Sequence, residues 1–499
     1  MKKLIYIATI ASSLFLTTSC VDLTQTPQGF ITEEEYIASL DLDGLEKAAT
    51  ALYKDLWQGN YGFNSRIQRL NVCADDITYS PTKANNPLDY FERLTPNLSA
   101  NDADFTNPWA GFYTVINNAN KLINNVTFTG KTDAEIKEYQ QVLGEAYFLR
   151  GLSYFYLVRI FGDVPLILVG TDAETQMPRS SVAEVYEKAI IPSLEQAASW
   201  LPAKSRSGFS STPSKWAAKA CLADVYLTMA GWPLNKGKEY YTKAANEAKE
   251  IISNSGLKLT AKYEDLWKEA KKEDANEHMF ALHHDAKQKV ASNYGKSYYP
   301  KDFYPNAGWA DYYASESFYL GYPADDRKEW NFMTEWESGT KDNHKVINYK
   351  ESADGLPAIS KYYNYDNGAP GSSAQANGIT CIYRYADVLL MYAEASAKAT
   401  GSVDALAKQS LNDVQNRSHS PIVTSTTNAT EFEQAVFNER GWEFFAEMKR
   451  WFDLVRMEKV SEVKPTEWAS STFKNYNHYY MPVPQQQINL TGWANNAGY

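Results

Sequence analysis

The chain is poor in cysteine. Only four cysteines occur in 499 residues, at positions 20, 73, 221 and 381, and none are spaced as in a CxxC motif. A disulfide framework needs more cysteines in a shorter chain, and zinc sites need closely spaced ligands, so neither is predicted. The last three cysteines lie in apolar stretches and are expected to be buried free thiols.

Positive charge is scarce as well. The net charge is −11, and lysine and arginine form no basic stripe along the sequence. Binding to a phosphate backbone requires clustered Lys and Arg side chains. Nucleic acid is therefore not expected as a partner.

Long apolar runs are also lacking, and the one short run lies at the N-terminus. Lys2 and Lys3 precede an apolar run over residues 4–16, and small residues at 17–19 precede Cys20. This pattern is typical of a secretory signal, whereas a spanning helix needs about 20 apolar residues. We predict a signal peptide over residues 1–19 and a polar tether over residues 20–43.

The common enzyme signatures are missing. The sequence contains no HExxH, no GxSxG and no phosphate-binding glycine loop. His283 and His284 adjoin Asp285, but neighbouring side chains of a strand point to opposite faces, which argues against a shared metal. We predict no catalytic residue, no cofactor and no metal site.

Helical periodicity dominates two long parts of the chain, about 44–254 and 384–499. Apolar residues recur at three- and four-residue steps, which places them on one helix face. The predicted helices cover about 44–58, 108–125, 132–161, 180–200, 213–231, 238–254, 384–399, 404–417 and 430–457. Their pairing across short turns predicts a mainly α fold, either a scaffold of tetratricopeptide-like helical hairpins or a plain helix bundle.

The segment from about 255 to 380 differs from the rest. It is rich in Gly, Pro, Asn and Tyr, its periodicity is weak, and one strand is predicted at Met279–His283. Irregular segments of this length inside a compact chain are usually functional. We interpret it as a ligand-facing insert within a single domain over residues 44–499.

Four sequence blocks together resemble the SusD/RagB family of outer-membrane lipoproteins. They are GEAYFLR at 144–150 continuing into YLVRIFGDVPL at 156–166, IYRYADVLLMYAEA at 382–395, FNERGWEFFAEMKRWFDLVR at 437–456, and YMPVPQQQI at 480–488 with NAGY at 496–499. A weaker fifth block is LNDVQNR at 411–417. The blocks occur in the family's order and span nearly the whole mature chain.

The resemblance implies a fold, a location and a partner. It implies four tetratricopeptide-like helix pairs that carry a less regular ligand-facing part. Cys20 resembles the cysteine of a bacterial lipobox, although Thr17 stands where the motif has Leu, so the resemblance implies acylation at Cys20 and display at the cell surface. The implied partner is a SusC-like, TonB-dependent outer-membrane transporter.

The third block also carries three carboxylates on one predicted helix. Glu439, Glu443 and Glu447 are four residues apart and share a face, near Arg440, Arg450 and Arg456. One interpretation is a structural ion-pair network. The other is an acid and base pair, as in a glycosidase. We favour the network, because three acids along one helix do not face each other across a substrate.

The predicted ligand is an oligosaccharide or polysaccharide held by aromatic side chains of the insert. From Tyr294 to Trp336, 14 of 43 residues are aromatic, against 14% in the whole chain. Flat rings cover the apolar face of a sugar, and polar neighbours bind its hydroxyls. The candidate ligand-binding residues are Asp76, Tyr79, Trp309, Tyr312, Tyr313, Trp330 and Trp336.

Trp309 and Tyr312 lie beside Gly308 and Asp311, a loop-like setting that favours exposure. Asp76 and Tyr79 are added because the resemblance implies that their loop borders the ligand site. Two alternatives stay open: a peptide-binding member of the same family and a secreted α/α-type glycosidase. The glycosidase requires two carboxylates that converge in a cleft, whereas the binding protein requires aromatic platforms without such a pair.

Overall fold

A computed structural model of the chain describes residues 31–57, 67–82, 88–95, 103–169, 177–362 and 377–499, except 275, 286, 289, 293 and 306. The predicted signal peptide, and Cys20 with it, lies outside these residues. None of the helices in the described ranges is both long and apolar enough to span a bilayer.

The fold is mainly α-helical, as predicted. The helices of the N-terminal part are α1 (Glu33–Ala38), α2 (Leu42–Trp57), α3 (Leu88–Glu92), α4 (Ala103–Asn125), α5 (Asp133–Phe161), α6 (Val182–Val185), α7 (Ile191–Trp200), α8 (Lys215–Ala230) and α9 (Lys238–Asn254). Those of the insert are α10 (Tyr294–Tyr298), α11 (Glu316–Gly321) and α12 (Asp326–Asn331). Those of the C-terminal part are α13 (Tyr385–Thr400), α14 (Ala405–Arg417), α15 (Ala429–Glu443), α16 (Arg450–Arg456), α17 (Val460–Val463), α18 (Pro465–Ala469), α19 (Thr472–Tyr476) and α20 (Gln485–Thr491).

Within the described residues, eight strands form four two-stranded antiparallel sheets. The pairs are β1 (Ile77–Tyr79) with β3 (Tyr312–Ala314), β2 (His278–His283) with β8 (Ile379–Arg384), β4 (Phe332–Met333) with β7 (Ala358–Ile359), and β5 (Glu335–Thr340) with β6 (Asn343–Asn348). The predicted strand at 279–283 is confirmed as β2. The other seven were not predicted, because strands this short carry too little alternation to show in the sequence.

The long helix α5 shows how local sequence sets the helix ends. Thr132 caps its N-terminus, and the Glu135 carboxylate accepts the Thr132 backbone N–H at 2.8 Å. Gly162 ends it with a positive φ of 74°, and a Cβ there would lie 2.9 Å from the Tyr480 ring. Only glycine meets both conditions.

The scaffold is a series of helices in which each packs on the next: α4 on α5, α5 on α7, α7 on α8, α8 on α9, α9 on α13 across the insert, and α13 on α14. The small residues of α8 allow close approach, since Ala217, Ala218, Ala220 and Ala223 are all fully buried. This order agrees with the predicted tetratricopeptide-like scaffold.

Two predicted boundaries are wrong. The tether was predicted to extend to residue 43, but Glu33–Ala38 forms the capped helix α1, and Ile37 is buried in the core. The helix predicted over 430–457 is instead two helices, α15 and α16, separated at residues 444–449. Ala446 and Met448 take positive φ angles there, both 60°, which a continuous helix does not allow.

Candidate functional site

The first candidate site lies where β1 pairs with β3 and is called the β1–β3 edge, meaning Tyr79, Asp89, Lys296 and Trp309. Tyr79 is half-buried and pairs in register with Tyr312. Its hydroxyl donates a hydrogen bond to Asp89 Oδ1 at 2.6 Å. The Tyr79 ring is therefore fixed at the surface with a carboxylate at its polar end.

Trp309 stands three residues before Tyr312, the β3 residue that pairs with Tyr79. It is half-buried, its backbone N–H donates to Lys296 O at 2.7 Å, and the Lys296 amine lies 5.6 Å from its ring centroid. Gly308 allows this turn, because a Cβ there would lie 2.0 Å from the Tyr299 carbonyl oxygen. The edge thus carries two half-buried rings, the Asp89 carboxylate in an ion pair with Arg93 at 2.9 Å, and the Lys296 amine beside Trp309.

Asp354 stabilises the β1–β3 edge by accepting hydrogen bonds from residues of both of its strand segments. Its carboxylate accepts hydrogen bonds from Ser80 Oγ at 2.5 Å, Thr82 Oγ1 at 2.7 Å and Tyr313 Oη at 2.7 Å. Burial raises the pKa of Asp354, but these donors outweigh it and the pKa stays below its usual value. Tyr313 is therefore a support for the edge.

Four of the predicted ligand-binding side chains are buried, which corrects the expectation of exposure. Asp76, Tyr312, Tyr313 and Trp336 are 1%, 2%, 1% and 3% exposed. Trp336 packs with Ile347 and Tyr349 in a small core of its own. Each short sheet packs on a small hydrophobic core, and the many aromatic residues of the insert supply several of these cores. The rings of Tyr312, Tyr313 and Trp336 therefore present no face to a ligand in this structure.

Trp330 is half-buried but lies apart from Trp309. Its Nε1–H donates to Lys361 O at 3.2 Å, and it packs on a core that contains Tyr263 and Trp267. The Lys268 amine lies 5.7 Å from its ring centroid. The two tryptophans therefore occupy different surroundings and do not form one platform.

The Asp76 carboxyl has an unusual environment. Oδ2 accepts the Ala446 N–H at 3.4 Å, whereas Oδ1 has no hydrogen-bond partner. Burial, followed by repulsion from Asp75, raises the pKa of Asp76 to about 7. A group held this way contributes to the fold around residue 446 and not to a ligand surface.

The three glutamates of the third sequence block form an ion-pair network, which confirms the favoured interpretation. Glu443 accepts hydrogen bonds from Arg327, Arg384 and Arg417, Glu439 accepts from Arg327, and Glu447 accepts from Arg384 and Lys361. The three glutamates and their partners are buried. Each of the three carboxylates is thus paired with at least one buried cation, as in a structural network.

The adjacent histidines have structural partners. His283 Nε2 lies 2.9 Å from Ser210 Oγ, and His284 Nε2 lies 2.8 Å from Thr380 Oγ1. In the described ranges, no group of three or more His, Cys, Asp or Glu side chains is arranged to hold a metal ion.

A cavity of about 410 Å³ was missed by the sequence analysis and is called the α2 cavity. It opens between the C-terminal half of α2, the connection between α7 and α8, and the end of β2, with Lys54, Trp57, Arg206 and His283 in its wall. Its residues come from three distant parts of the chain, so no local pattern marks it.

Comparison with known proteins decides the family. Residues 42–227 match a SusD-like family described as starch-binding and associating with the outer membrane, and residues 334–499 match the SusD family. The chain belongs to the SusD family. Among its relatives, SusD-like protein P2 of Formosa agariphila is 28% identical over 424 residues, which are 78% of this chain and 80% of the relative.

Solved SusD structures share the fold. A SusD superfamily protein from Parabacteroides distasonis is 25% identical with a TM-score of 0.79, over 94% of this chain and 100% of the other. Surface glycan-binding protein A from Bacteroides fluxus, at 19% identity, has a TM-score of 0.72 over 91% and 99%. The SusD family is a carbohydrate-binding family associated with the outer membrane, and this chain is a member.

Proposed function

We propose that the chain is a surface-exposed lipoprotein that captures oligosaccharides and delivers them to a TonB-dependent transporter of the outer membrane. The observation that carries the proposal is the β1–β3 edge, with its two half-exposed rings, in a member of a carbohydrate-binding family. Anchoring through Cys20 and delivery to the transporter rest on the family resemblance.

The chemistry of the edge suits a sugar. The apolar C–H face of a pyranose packs on a flat ring such as Trp309. The Lys296 amine and Asp89 Oδ2, the carboxylate oxygen that neither Tyr79 nor Arg93 uses, bind hydroxyls at the rim. The main energetic cost of enclosing a saccharide is a buried polar group left without a hydrogen bond. A sugar bound this way avoids that cost, because its hydroxyls find partners at the rim.

The same surroundings support binding without hydrolysis. A glycosidase needs two carboxyl groups about 5–10 Å apart across the scissile bond. Glu439, Glu443 and Glu447, which the sequence offered for that role, are instead neutralised by buried arginine and lysine. Burial raises the pKa of Glu443 and Glu447, but their cationic partners more than compensate, so neither carboxyl carries a proton to donate near pH 7.

A glycan array followed by a reducing-end assay tests the proposal. The purified mature protein is expected to retain one class of glycan and to release no reducing ends from it during prolonged incubation. Sustained release would show a glycosidase. Retention of peptides with no glycan bound would show a peptide-binding member of the family.

A further inference from the structure

Part of the wall of the α2 cavity is apolar. Trp57, Leu282 and Val290 line it, and the Trp57 ring packs on the His284 ring at a centroid distance of 4.0 Å. His284 is in turn held at both ring nitrogens, by Val290 O at 2.9 Å and Thr380 Oγ1 at 2.8 Å. The indole that lines the cavity is therefore fixed in place.

Hydroxyl groups line another part of the wall, in the connection between α7 and α8. Ser207 Oγ lies 2.9 Å from Thr212 Oγ1, and Ser211 Oγ donates to Ser207 Oγ at 3.1 Å. The connection is fixed on β2, because the Ala281 N–H donates to Ser210 O at 2.9 Å. These hydroxyls are therefore preorganised, which lowers the entropic cost of binding a ligand.

Two polar groups of the wall keep bonding capacity. Ser211 Oγ donates one hydrogen bond and accepts none from the described residues. His283 Nε2 lies 2.9 Å from Ser210 Oγ, while its Nδ1 has no hydrogen-bond partner in the described part of the chain. Burial, followed by repulsion from Lys272, lowers the pKa of His283 to about 4, so the ring is neutral at pH 7. Nδ1 is a donor in one tautomer and an acceptor in the other, and a ligand hydroxyl satisfies either.

The cationic groups at the cavity are already paired or solvated. Arg206 donates Nε and Nη2 to the Glu145 carboxylate at 2.7 and 3.1 Å, and its Nη1 lies 3.6 Å from Glu46 Oε2. Lys54 is exposed, so water solvates its amine. A charged ligand would lose its hydration in the cavity without gaining a buried partner of opposite charge, so the wall favours a neutral ligand.

The size and the two kinds of wall fit a sugar ring. A volume of about 410 Å³ falls in the range of small-ligand sites. A pyranose has an apolar C–H face and a rim of hydroxyls, which match the apolar and the hydroxyl-bearing parts of the wall.

We propose that the α2 cavity is a second saccharide site that binds a neutral pyranose unit, with its C–H face on Trp57 and its hydroxyls at Ser211 and His283. The inference rests on the proposed saccharide function. It adds to that function a second site, separate from the β1–β3 edge, and a substrate class, the neutral sugars.

Calorimetric titration of the Trp309→Ala variant tests the cavity, because that substitution removes a ring of the β1–β3 edge and leaves the cavity intact. The neutral probes are maltose, cellobiose and mannobiose, and digalacturonate is the anionic comparison. Trp309→Ala is expected to bind at least one neutral probe, and to bind it about tenfold more tightly than digalacturonate.

Blocking substitutions in the same background locate this binding. Thr50 is exposed on α2 and lines the cavity, so the indole of Thr50→Trp is expected to take the space of the sugar and to weaken binding about tenfold or more. Ser211→Trp blocks the cavity from the connection between α7 and α8. Thr242→Trp is the matched control: like Thr50 Oγ1, Thr242 Oγ1 donates to the carbonyl four residues earlier in an exposed helix position, but it lies on α9 and does not line the cavity.

The outcomes separate this site from the β1–β3 edge. Absence of binding to every neutral probe in folded Trp309→Ala overturns the cavity proposal alone, as does a preference for digalacturonate. Equal affinity in the Thr242→Trp control and in either folded blocking variant also overturns it. A wild type that retains no saccharide on the glycan array overturns the proposed function as well.

Discussion

At the residue scale, Asp76 is a buried acid without a cation of its own. The neighbouring Asp75 takes the Arg450 guanidinium in two hydrogen bonds, at 2.7 and 2.8 Å, and leaves Asp76 only the Ala446 N–H. The raised pKa follows, since a charge there is neither solvated nor neutralised. Asp76 is thus protonated in the folded state at pH values where the unfolded chain has already lost that proton.

This difference predicts how stability depends on pH. Between pH values of about 4 and 7 the native state binds more protons at Asp76, so its contribution to stability falls as pH rises through that window. Asp76→Asn removes this loss. We expect the variant to exceed the wild type by about 1–3 kcal/mol at pH 8 and by much less at pH 4.5, measured by urea unfolding. Asp43→Asn, at an exposed acid, is the control, and a gain independent of pH would contradict the assignment.

Cys20 carries the prediction of a lipid anchor. Metabolic labelling with a clickable fatty acid is expected to tag the wild type in its native host and to leave Cys20→Ala untagged, because acylation requires the thiol. Cys73→Ala is a suitable control, since that thiol is buried inside the fold. Equal labelling of wild type and Cys20→Ala would contradict the predicted lipid anchor at Cys20.

At the scale of elements, the break between α15 and α16 shows where sequence patterns stop being sufficient. Apolar periodicity runs through residues 444–449, yet tertiary bonds replace the helical ones there. The carbonyls of Glu443, Phe445 and Ala446 accept hydrogen bonds from Arg384, Lys361 and Tyr362. Donors that come from β8 and the segment after β7 are invisible in a local pattern.

Glu443 is the centre of the network at this break. Burial raises the pKa of Glu443, but Arg417, Arg384 and Arg327 more than compensate and hold it well below its usual value. Glu443→Gln leaves three buried guanidinium groups short of one negative charge. We expect a loss of about 3–5 kcal/mol in the free energy of unfolding.

A matched control lies on the same helix. Glu433 pairs with Lys398 at 3.0 Å near the surface, so Glu433→Gln is expected to cost less than about 1 kcal/mol. Chemical denaturation of the three proteins measures both values. A similar loss in the free energy of unfolding for Glu443→Gln and Glu433→Gln would mean that the network does not stabilise the segment between α15 and α16.

At the scale of the whole molecule, the sequence predicted the scaffold well and the site poorly. Helix α5 depends on its cap residues and helix α9 on its apolar periodicity, and both signals lie in residues close together in the chain. The exposure of Tyr312 or Trp336 depends on which strand packs beside it. β3, for example, pairs with β1, which lies more than 200 positions earlier in the chain. An aromatic excess therefore located the insert without showing which rings face outward.

The folded protein as a whole is also predicted to bind a TonB-dependent transporter. Gentle detergent extraction of cells carrying a C-terminally tagged chain is expected to recover a barrel protein of much larger mass, because SusC-like partners are implied by the family resemblance. Cys20→Ala with the same tag controls for membrane attachment. Recovery of the tagged wild type alone, under conditions that preserve other outer-membrane complexes, would contradict the partnership.

The most direct test of the account is calorimetric titration of the glycan that the array identifies, into wild type and Trp309→Ala. Aromatic stacking of nucleobases suggests a scale of about 1–3 kcal/mol for the loss of one platform. We predict a loss of that size for Trp309→Ala, with the fold intact, and no change for Tyr36→Ala, whose ring is exposed on α1. Unchanged affinity in folded Trp309→Ala would contradict the claim that the β1–β3 edge binds the saccharide.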